Sequence, residues 1–288
     1  MTTCLVSGGT GFIGRHLVRR LLAAGETVHL LCRPDSVMPD LPGPVTVHRI
    51  SDPDALPALL RQVRPRTCFH LATRYQHGHQ PGDVAPLLET NVVFGTALAD
   101  AAVRADCPVF VNAGTASQLD RDGRYAPASL YAASKQAFED MLTYFARHRG
   151  MACRSALMFD TFGPADTRGK ILSQLLEAAR SGAALDASPG GQEIDLLHVE
   201  DAVDGLLAAA ATDEAGARRY ALSSGRPLTL RALGALIETA AGRPLNVAWG
   251  ARPYRDGEVM QTWKDGTPPP GWQPCRRLED FLRAELAG

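Results

Sequence analysis

Short apolar runs alternate with longer amphipathic stretches along the first 160 residues of the chain. The apolar runs end in Gly, Pro or polar residues, which predicts strands, and the longer stretches repeat apolar side chains with helical spacing. The predicted strands span 3–7, 27–32, 45–50, 67–72, 108–112 and 151–159, and the predicted helices span 12–24, 53–63, 83–105 and 129–148. Because strands that alternate with helices pair in parallel through crossover connections, we predict an α/β fold with a doubly wound parallel sheet.

Segments become shorter, and Gly and Pro more frequent, after about residue 160. One Pro-rich stretch, 268–271, is predicted to be an exposed turn before a last helix at 278–286. We therefore predict two interleaved units. Residues 1–160 form the sheet domain that carries the chemistry, and residues 161–288 form a smaller C-terminal substrate-binding lobe at the carboxyl ends of the strands.

Composition excludes several classes of function. Of the 288 residues, 45% are apolar and 21% are charged, which is typical of a folded globular protein. The formal net charge is −1, so we expect no nucleic acid partner. No apolar run approaches the roughly 18 residues that a membrane-spanning helix needs. The N-terminal segment lacks the basic residues of a secretory signal, so we expect a cytoplasmic protein that does not enter membranes.

The cysteines and histidines do not follow the spacing of metal sites. The six cysteines are scattered without a Cys-x-x-Cys pair, which favours reduced thiols over disulfides or zinc. None of the eight histidines belongs to an i, i+4 pair, and His77 and His79 have no carboxylate cluster beside them. We therefore expect no metal.

A glycine-rich turn joins the first predicted strand to the first predicted helix. Gly8, Gly11 and Gly14 follow the spacing G-x-x-G-x-x-G. Glycines at such positions allow a tight turn, close approach of backbone N–H groups to a pyrophosphate, and close packing of helix on strand. The turn predicts a Rossmann-like dinucleotide site. Its candidate cofactor-binding residues are Gly8, Thr10, Gly11, Phe12, Ile13 and Gly14.

The end of the second predicted strand indicates which dinucleotide is bound. Enzymes that use NAD usually carry an acid there, which binds the ribose 2′-hydroxyl. Here Cys32 is neutral and Arg33 follows it, and a guanidinium suits a 2′-phosphate. We predict NADP(H) as the cofactor, with Arg33 as the phosphate ligand, whereas contact of Asp35 with a ribose hydroxyl is the alternative. Asp52 is predicted either to bind the adenine amino group or to cap the next helix.

Tyr131 and Lys135 are four residues apart in a predicted helix and share one face. A phenol with a pKa near 10 needs a nearby ammonium to lower that pKa before it can exchange protons with an alcohol or ketone. Thr115, after the fifth strand, is predicted to hold the substrate oxygen, and Ser117 is an alternative. Asn91 is predicted either to order water or backbone near Lys135 or to tie its helix to a loop.

Together these motifs resemble the extended short-chain dehydrogenase/reductase family, in its nucleotide-sugar epimerase/dehydratase group. The resemblance covers essentially the whole chain and includes His-Leu-Ala at 70–72. Several stretches are most similar to 4-ketoreductases of the CDP-abequose and CDP-paratose synthase type, namely 70–73, 112–118, 130–139, 159–164, 166–170, 188–192 and 253–259.

The resemblance implies roles for individual residues. Thr115, Tyr131 and Lys135 match the catalytic positions, and Lys135 also matches a cofactor contact. Further cofactor contacts are implied at Leu71, Ala72 and Asn91, and substrate contacts at Thr73, Ser117, Asp160, Arg168, Lys170, Gln192, Arg252 and Arg255.

Three residues depart from the family pattern. Ile194 stands where many relatives carry an Arg that holds the substrate pyrophosphate, so the cations at 168, 170, 252 and 255 are the candidates for that contact. Ala116 and Ser117 stand where dehydratases place an Asp–Glu pair, which disfavours dehydration.

The resemblance implies NADPH-dependent reduction of the 4-keto group of a nucleotide-linked 4-keto-6-deoxyhexose. A 4-epimerase, or another reductase of the extended family, is the first alternative, and a non-catalytic NADP-binding sensor is the second. The implied partners are a nucleotide-diphosphate sugar and a second copy of the chain. The two copies would pair through a four-helix interface built from the helices at 83–105 and 129–148.

Overall fold

The computed structural model describes residues 2–76 and 78–287. Within these residues the central sheet contains seven parallel strands in the order β11-β6-β5-β4-β1-β2-β3. The strands are β1 Thr3–Ser7, β2 Thr27–Cys32, β3 Thr46–Arg49, β4 Thr67–His70, β5 Val109–Thr115, β6 Ala152–Met158, β7 Asp160–Phe162, β8 Leu185–Ala187, β9 Glu193–Ile194, β10 Leu196–His198, β11 Ala217–Leu222, β12 Leu228–Thr229 and β13 Val247–Trp249. The order reverses at β1, so the crevice between the carboxyl ends of β1 and β4 is the place where such sheets bind ligands.

Helices cover both faces of this sheet. The helices are α1 Phe12–Ala23, α2 Leu56–Val63, α3 Val84–Leu88, α4 Phe94–Arg104, α5 Leu130–Arg149, α6 Ile171–Ser181, α7 Val199–Ala210, α8 Leu230–Ala241 and α9 Leu278–Leu286. Neighbouring residues of β1 show the two layers. Val6 belongs to the core beneath α1 and α7, whereas Leu5 belongs to the core beneath α2, α4 and α5. Burial on both faces explains why the strands are nearly continuous apolar runs.

The doubly wound parallel sheet and the six strands predicted over the first 160 residues are confirmed. β5 continues three residues beyond its predicted end, because Ala113, Gly114 and Thr115 pair with the last residues of β6. The predicted helix over 83–105 is not a single α-helix. A π-helical segment, Glu89–Val93, separates α3 from α4, and its buried residue is Asn91. Hydrophobic periodicity does not reveal such a segment, since apolar spacing continues through it.

The second part of the chain contributes to the sheet domain and also forms a separate cluster. α7 packs on α1 and the sheet, and β11 extends the sheet beyond β6. The remaining segments surround a separate apolar cluster that includes Leu175, Leu233 and Ile237. β11 is a strand of the central sheet and α7 covers one of its faces, although both follow residue 161. The division between residues 160 and 161 stays a prediction. No helix in the described part of the chain is long and apolar enough to cross a membrane.

Candidate active site

The glycine-rich turn is packed too tightly for side chains at two of its three glycines. Gly8 has φ +75°, and a Cβ there would lie 2.5 Å from the backbone nitrogen of Ala72. A Cβ on Gly14 would lie 2.1 Å from the carbonyl oxygen of Gly8. Gly11 is the N-cap of α1 and provides no side chain to bond the first N–H groups of the helix. These residues fit a dinucleotide pyrophosphate, since the turn leaves backbone donors and a helix N-terminus facing the cleft.

One cleft of about 1460 Å³ runs from the glycine-rich turn to the second lobe. It contains most of the candidate residues, in the order of the chain Gly8, Thr10, Gly11, Phe12, Ile13, Gly14, Arg33, Leu71, Ala72, Thr73, Thr115, Ser117, Tyr131, Asp160, Arg168, Lys170, Gln192, Arg252 and Arg255. Asp52, Asn91 and Lys135 do not line the cleft. The carboxyl ends of the parallel strands therefore bring together residues that are up to about 250 positions apart in the sequence.

Tyr131 stands in the first turn of α5, where Ser129 caps the helix by accepting a hydrogen bond from the Ala132 N–H at 3.2 Å. The Tyr131 side chain is buried, and this burial raises its pKa to about 12. The Thr73 hydroxyl lowers the pKa, whereas the negative charge of Asp160 raises it. The expected lowering by Lys135 is not among the causes. Burial outweighs the other effects, so the phenol carries its proton at neutral pH.

Lys135 lies one helical turn after Tyr131 and is 1% exposed. Burial lowers its pKa from 10.5 to about 8, although the carboxylate of Glu139 acts in the opposite direction. The ammonium in turn contributes to the low pKa of His70, about 3, of which burial is the main cause. His70 is therefore a neutral core residue, and its Nδ1 lies 2.7 Å from the Ser7 hydroxyl.

Thr115 ends β5 and caps a 3-10 turn at Ala116–Gln118. Its Oγ1 accepts a hydrogen bond from the Ser117 N–H at 3.3 Å, and its own N–H donates to Gln118 Oε1 at 3.0 Å. The Thr115 hydroxyl hydrogen remains to be donated into the cleft. Ser117 lines the same cleft, so the choice between the two hydroxyls stays a prediction.

Two predicted cofactor residues are engaged in structural contacts. Asn91 Oδ1 accepts hydrogen bonds from the Thr73 hydroxyl at 3.1 Å and the Arg74 N–H at 2.8 Å. Its Nδ2 donates to the Arg74 carbonyl and to Ser134 on α5. Asn91 thus ties its helix to the loop after β4. Asp52 accepts a hydrogen bond from the Asp54 N–H at 2.9 Å and caps a helical turn. Of the two interpretations of each residue, these contacts match the structural one.

The end of β2 carries the residues that we expect beside the adenosine ribose. The Arg33 side chain is 82% exposed, and its Nε lies 3.4 Å from Asp35. Arg49 fixes this loop, because its Nη1 donates to the carbonyl oxygens of Arg33, Pro34 and Ser36 at 3.3, 2.7 and 3.0 Å. Sequence reasoning missed Arg49. Its position opposite Cys32 in the β2–β3 register is the signal that could have found it.

Two of the four predicted substrate cations are paired within the protein. Arg168 donates to Asp166 at 2.6 Å and to the Thr161 carbonyl at 2.6 Å, and its guanidinium lies 4.1 Å from the centre of the Phe12 ring. Lys170 forms an ion pair with Asp160. Arg252 and Arg255 are exposed at the edge of the cleft. Arg252 and Arg255 are therefore more accessible to a diphosphate than Arg168 is.

Aromatic residues that the sequence did not single out surround the reacting end of the cleft. The ring of Tyr75 packs edge-on against Tyr131, with centroids 5.0 Å apart. Phe159 and Trp263 stack with centroids 6.4 Å apart. Phe159 directly follows Met158, which pairs with Thr115. These rings form an apolar wall beside the candidate catalytic groups.

Within residues 2–76 and 78–287, no three His, Cys, Asp or Glu side chains lie close enough to hold a metal ion. His77, one of the two loop histidines considered above, lies outside the described residues.

Residues 4–222 match the model of the NAD dependent epimerase/dehydratase family. The chain belongs to that family. Its sequence is 22% identical to the CDP-abequose synthase of Salmonella typhimurium, covering 89% of this chain and 87% of the relative. It is 28% identical to the UDP-glucose 4-epimerase of Mycolicibacterium smegmatis, covering 96% and 95% of the two chains.

Solved structures agree with this membership. The structure of MoeE5 in complex with UDP-glucose and NAD has a TM-score of 0.86 with this chain at 25% identity, covering 99% of this chain and 97% of MoeE5. The family includes nucleotide-sugar epimerases, dehydratases and reductases that depend on a nicotinamide dinucleotide. The predicted family is therefore confirmed, and so is the general class of enzyme.

Proposed function

We propose that this protein is an NADPH-dependent reductase of the 4-keto group of a nucleotide-linked 4-keto-6-deoxyhexose. The observation that carries the proposal is the composition of the reacting end of the cleft. A protonated phenol, Tyr131, and a hydroxyl, Thr115, face the same space, and Ala116 and Ser117 provide no carboxylate for dehydration. The similarity to CDP-abequose synthases supports the choice of substrate class.

The proposed reaction uses the chain's own groups for the proton. When NADPH is bound, its nicotinamide supplies the hydride that reduces the ketone carbon. Tyr131 donates its proton to the ketone oxygen as the new C–H bond forms, and Thr115 holds that oxygen by a hydrogen bond. Lys135 stabilises the phenolate left behind, and the phenolate then takes a proton from solvent. The glycine-rich turn and the second lobe orient the two reactants.

The preference for NADP(H) is also part of the proposal. No carboxylate stands at the end of β2, and the exposed guanidinium of Arg33 lies at the cleft where a 2′-phosphate would be placed. The neighbouring Asp35 is the feature that would favour NAD instead.

Oxidation of NADPH by nucleotide 4-keto-6-deoxyhexoses, followed at 340 nm with product identification by mass spectrometry, tests the proposed function. We expect one NADPH to be consumed for each 4-hydroxy product. Tyr131→Phe removes the proton donor and should lower kcat by about 10²-fold or more while NADPH still binds. Tyr125→Phe, an exposed tyrosine outside the cleft, is the matched control. Full turnover by the Tyr131 variant would show that another group donates the proton.

A 4-epimerase is the second candidate, favoured by the similarity to UDP-glucose 4-epimerases over nearly the whole chain. An epimerase returns its cofactor to the starting state. Interconversion of 4-epimers without net consumption of NADPH would therefore show that the protein is an epimerase and not a reductase.

We also propose a homodimer. The exposed apolar side chains Leu88 and Val93 lie on α3 and the π segment, and Met141 and Tyr144 lie on α5.

The six free cysteines are compatible with the reducing cytoplasm, where we expect the enzyme to act.

A further inference from the structure

Gln118 connects the Thr115 turn to the helix that carries Tyr131 and Lys135. Its side chain is fully buried. Its Oε1 accepts a hydrogen bond from the Thr115 N–H at 3.0 Å. Its Nε2 donates to Glu139 Oε2 at 2.9 Å and to Gln136 Oε1 at 3.0 Å. One buried amide therefore fixes the distance between β5 and α5 at the level of the candidate catalytic residues.

Glu139 receives a second partner from the edge of the sheet. Arg219 on β11 donates from Nε to Glu139 Oε1 at 2.7 Å and from Nη2 to Gln136 Oε1 at 2.9 Å. The Glu139 side chain is 12% exposed, so its charge is poorly screened by water. Glu139 lies one helical turn after Lys135, on the same face of α5.

We propose that Gln118, Glu139 and Arg219 are positioning residues, which together fix the Thr115 turn against α5 and hold the Glu139 carboxylate one helical turn from Lys135. The inference rests on the proposed function for the roles of Thr115 and Lys135. None of the three residues lines the catalytic cleft, so each acts through another residue.

The proposed network predicts the direction in which each substitution shifts the pKa of Lys135. The charged group that acts on Lys135 is the Glu139 carboxylate on α5, which is itself paired with Arg219 on β11. His70 on β4 is also close enough to be affected by the Lys135 ammonium. Asp140 Oδ1 accepts a hydrogen bond from Gln136 Nε2 at 2.8 Å. His70 is neutral and Tyr131 is protonated, so the carboxylate of Glu139 is the main opposing charge. Removing that carboxylate should lower the pKa of Lys135, whereas removing Arg219 should raise it, because the carboxylate is then no longer neutralised.

The small number of lysines in the chain allows the direction of the Lys135 pKa shift to be measured. The chain contains three lysines, Lys135, Lys170 and Lys264, so ¹³C-lysine labelling gives three side-chain signals. Lys170→Arg and Lys264→Arg assign them. Titration of the full chain with NADP⁺ bound, followed by NMR, should show the pKa of Lys135 lower in Glu139→Gln and higher in Arg219→Gln, each by about 0.5 or more.

Arg218→Gln is the matched control. Arg218 is the neighbouring residue on β11 and pairs with Glu214 at 2.6 Å, away from α5. Its variant should leave the pKa of Lys135 unchanged. A Lys135 pKa that is unmoved in both test variants, or that moves in the same direction in both, would overturn the electrostatic role. Loss of helix packing alone would not produce opposite changes.

Gln118→Met tests the geometric role, because Met keeps most of the volume and removes the three hydrogen bonds. We expect kcat for keto-sugar reduction to fall about tenfold, with the KM and the NADPH affinity within about twofold of the wild type. An unchanged kcat would overturn the positioning of Thr115. If the wild-type protein reduces no keto-sugar but the opposite pKa changes are found, the proposed function fails and the Lys135 network stands.

Discussion

Substitution of Gly14 by Ala tests the packing of the glycine-rich turn. Helix propensity alone predicts that this substitution stabilises the protein, whereas the packing predicts that it destabilises the protein. Gly14 is the third residue of α1, where Ala is intrinsically more favourable than Gly by about 1 kcal/mol. The added Cβ, however, would lie 2.1 Å from the Gly8 carbonyl oxygen and 2.7 Å from the Gly9 Cα. Both contacts are with backbone, so the helix and the turn must separate.

The movement of α1 away from the glycine-rich turn determines how much stability Gly14→Ala loses. Forcing a methyl group into a well-packed interior costs about 1–3 kcal/mol, and the backbone contacts here place Gly14→Ala at the upper end. We expect a net loss of about 1–2 kcal/mol after the gain in helix propensity, which corresponds to a decrease in Tm of roughly 2–8 °C. The same movement displaces the N–H groups of the turn, so the affinity for NADPH should fall at least about tenfold.

Differential scanning fluorimetry and NADPH fluorescence titration measure the two effects separately. Gly43→Ala is the control for stability, because its nearest neighbour is a Leu22 methyl at 3.8 Å. Gly11→Ala should leave Tm nearly unchanged, since its Cβ would lie 3.3 Å from one atom, the Gly8 oxygen, while it reduces the affinity for NADPH. A Gly14→Ala protein with wild-type or higher Tm and unchanged NADPH binding would refute the packing argument.

The other predictions concern the cofactor, the dimer and pH. Arg33→Gln should reduce the ratio of NADPH to NADH affinity by about tenfold, and equal loss of both affinities would contradict the role of Arg33. If the protein forms the proposed dimer, Met141→Lys should convert it to a monomer in light scattering, since the substitution places a charge on the exposed apolar face of α5. NADPH-dependent reduction should decline above about pH 8, where Lys135 loses its proton. A rate that stays constant up to pH 9.5 would exclude that dependence.

The sheet and most of the cleft could be predicted from the sequence because both follow from local patterns. Apolar runs of five to nine residues that end in Gly, Pro or polar residues predict parallel strands, and the carboxyl ends of such strands meet at one edge. Gly8, Thr115 and Asp160 are separated widely in the chain, yet each follows or ends a strand of this kind, so the cleft brings them together.

Partnerships between distant side chains could not be predicted in the same way. The pairing of Asp160 with Lys170, the edge-on packing of Tyr75 on Tyr131, and the stacking of Phe159 on Trp263 depend on how loops return over the cleft. Asn91 stands out in the sequence because an amide is unusual on an apolar helix. Its four bonds depend on a π segment that leaves no trace in the hydrophobic pattern.

Burial shifts the pKa values of the two central titratable groups in opposite directions. It raises the pKa of Tyr131 and lowers that of Lys135, so it favours the uncharged form of each. At neutral pH the phenol keeps its proton and is ready to donate it, while Lys135, with a pKa of about 8, is still mostly charged. In the proposed reaction, donation creates a phenolate on the residue one helical turn before Lys135, and opposite charges attract more strongly in a buried site than in water. Burial also makes the phenol a weaker acid, so the proposed proton donation requires that the bound reactants and Lys135 stabilise the phenolate more than the resting phenol, as catalysis by differential stabilisation requires.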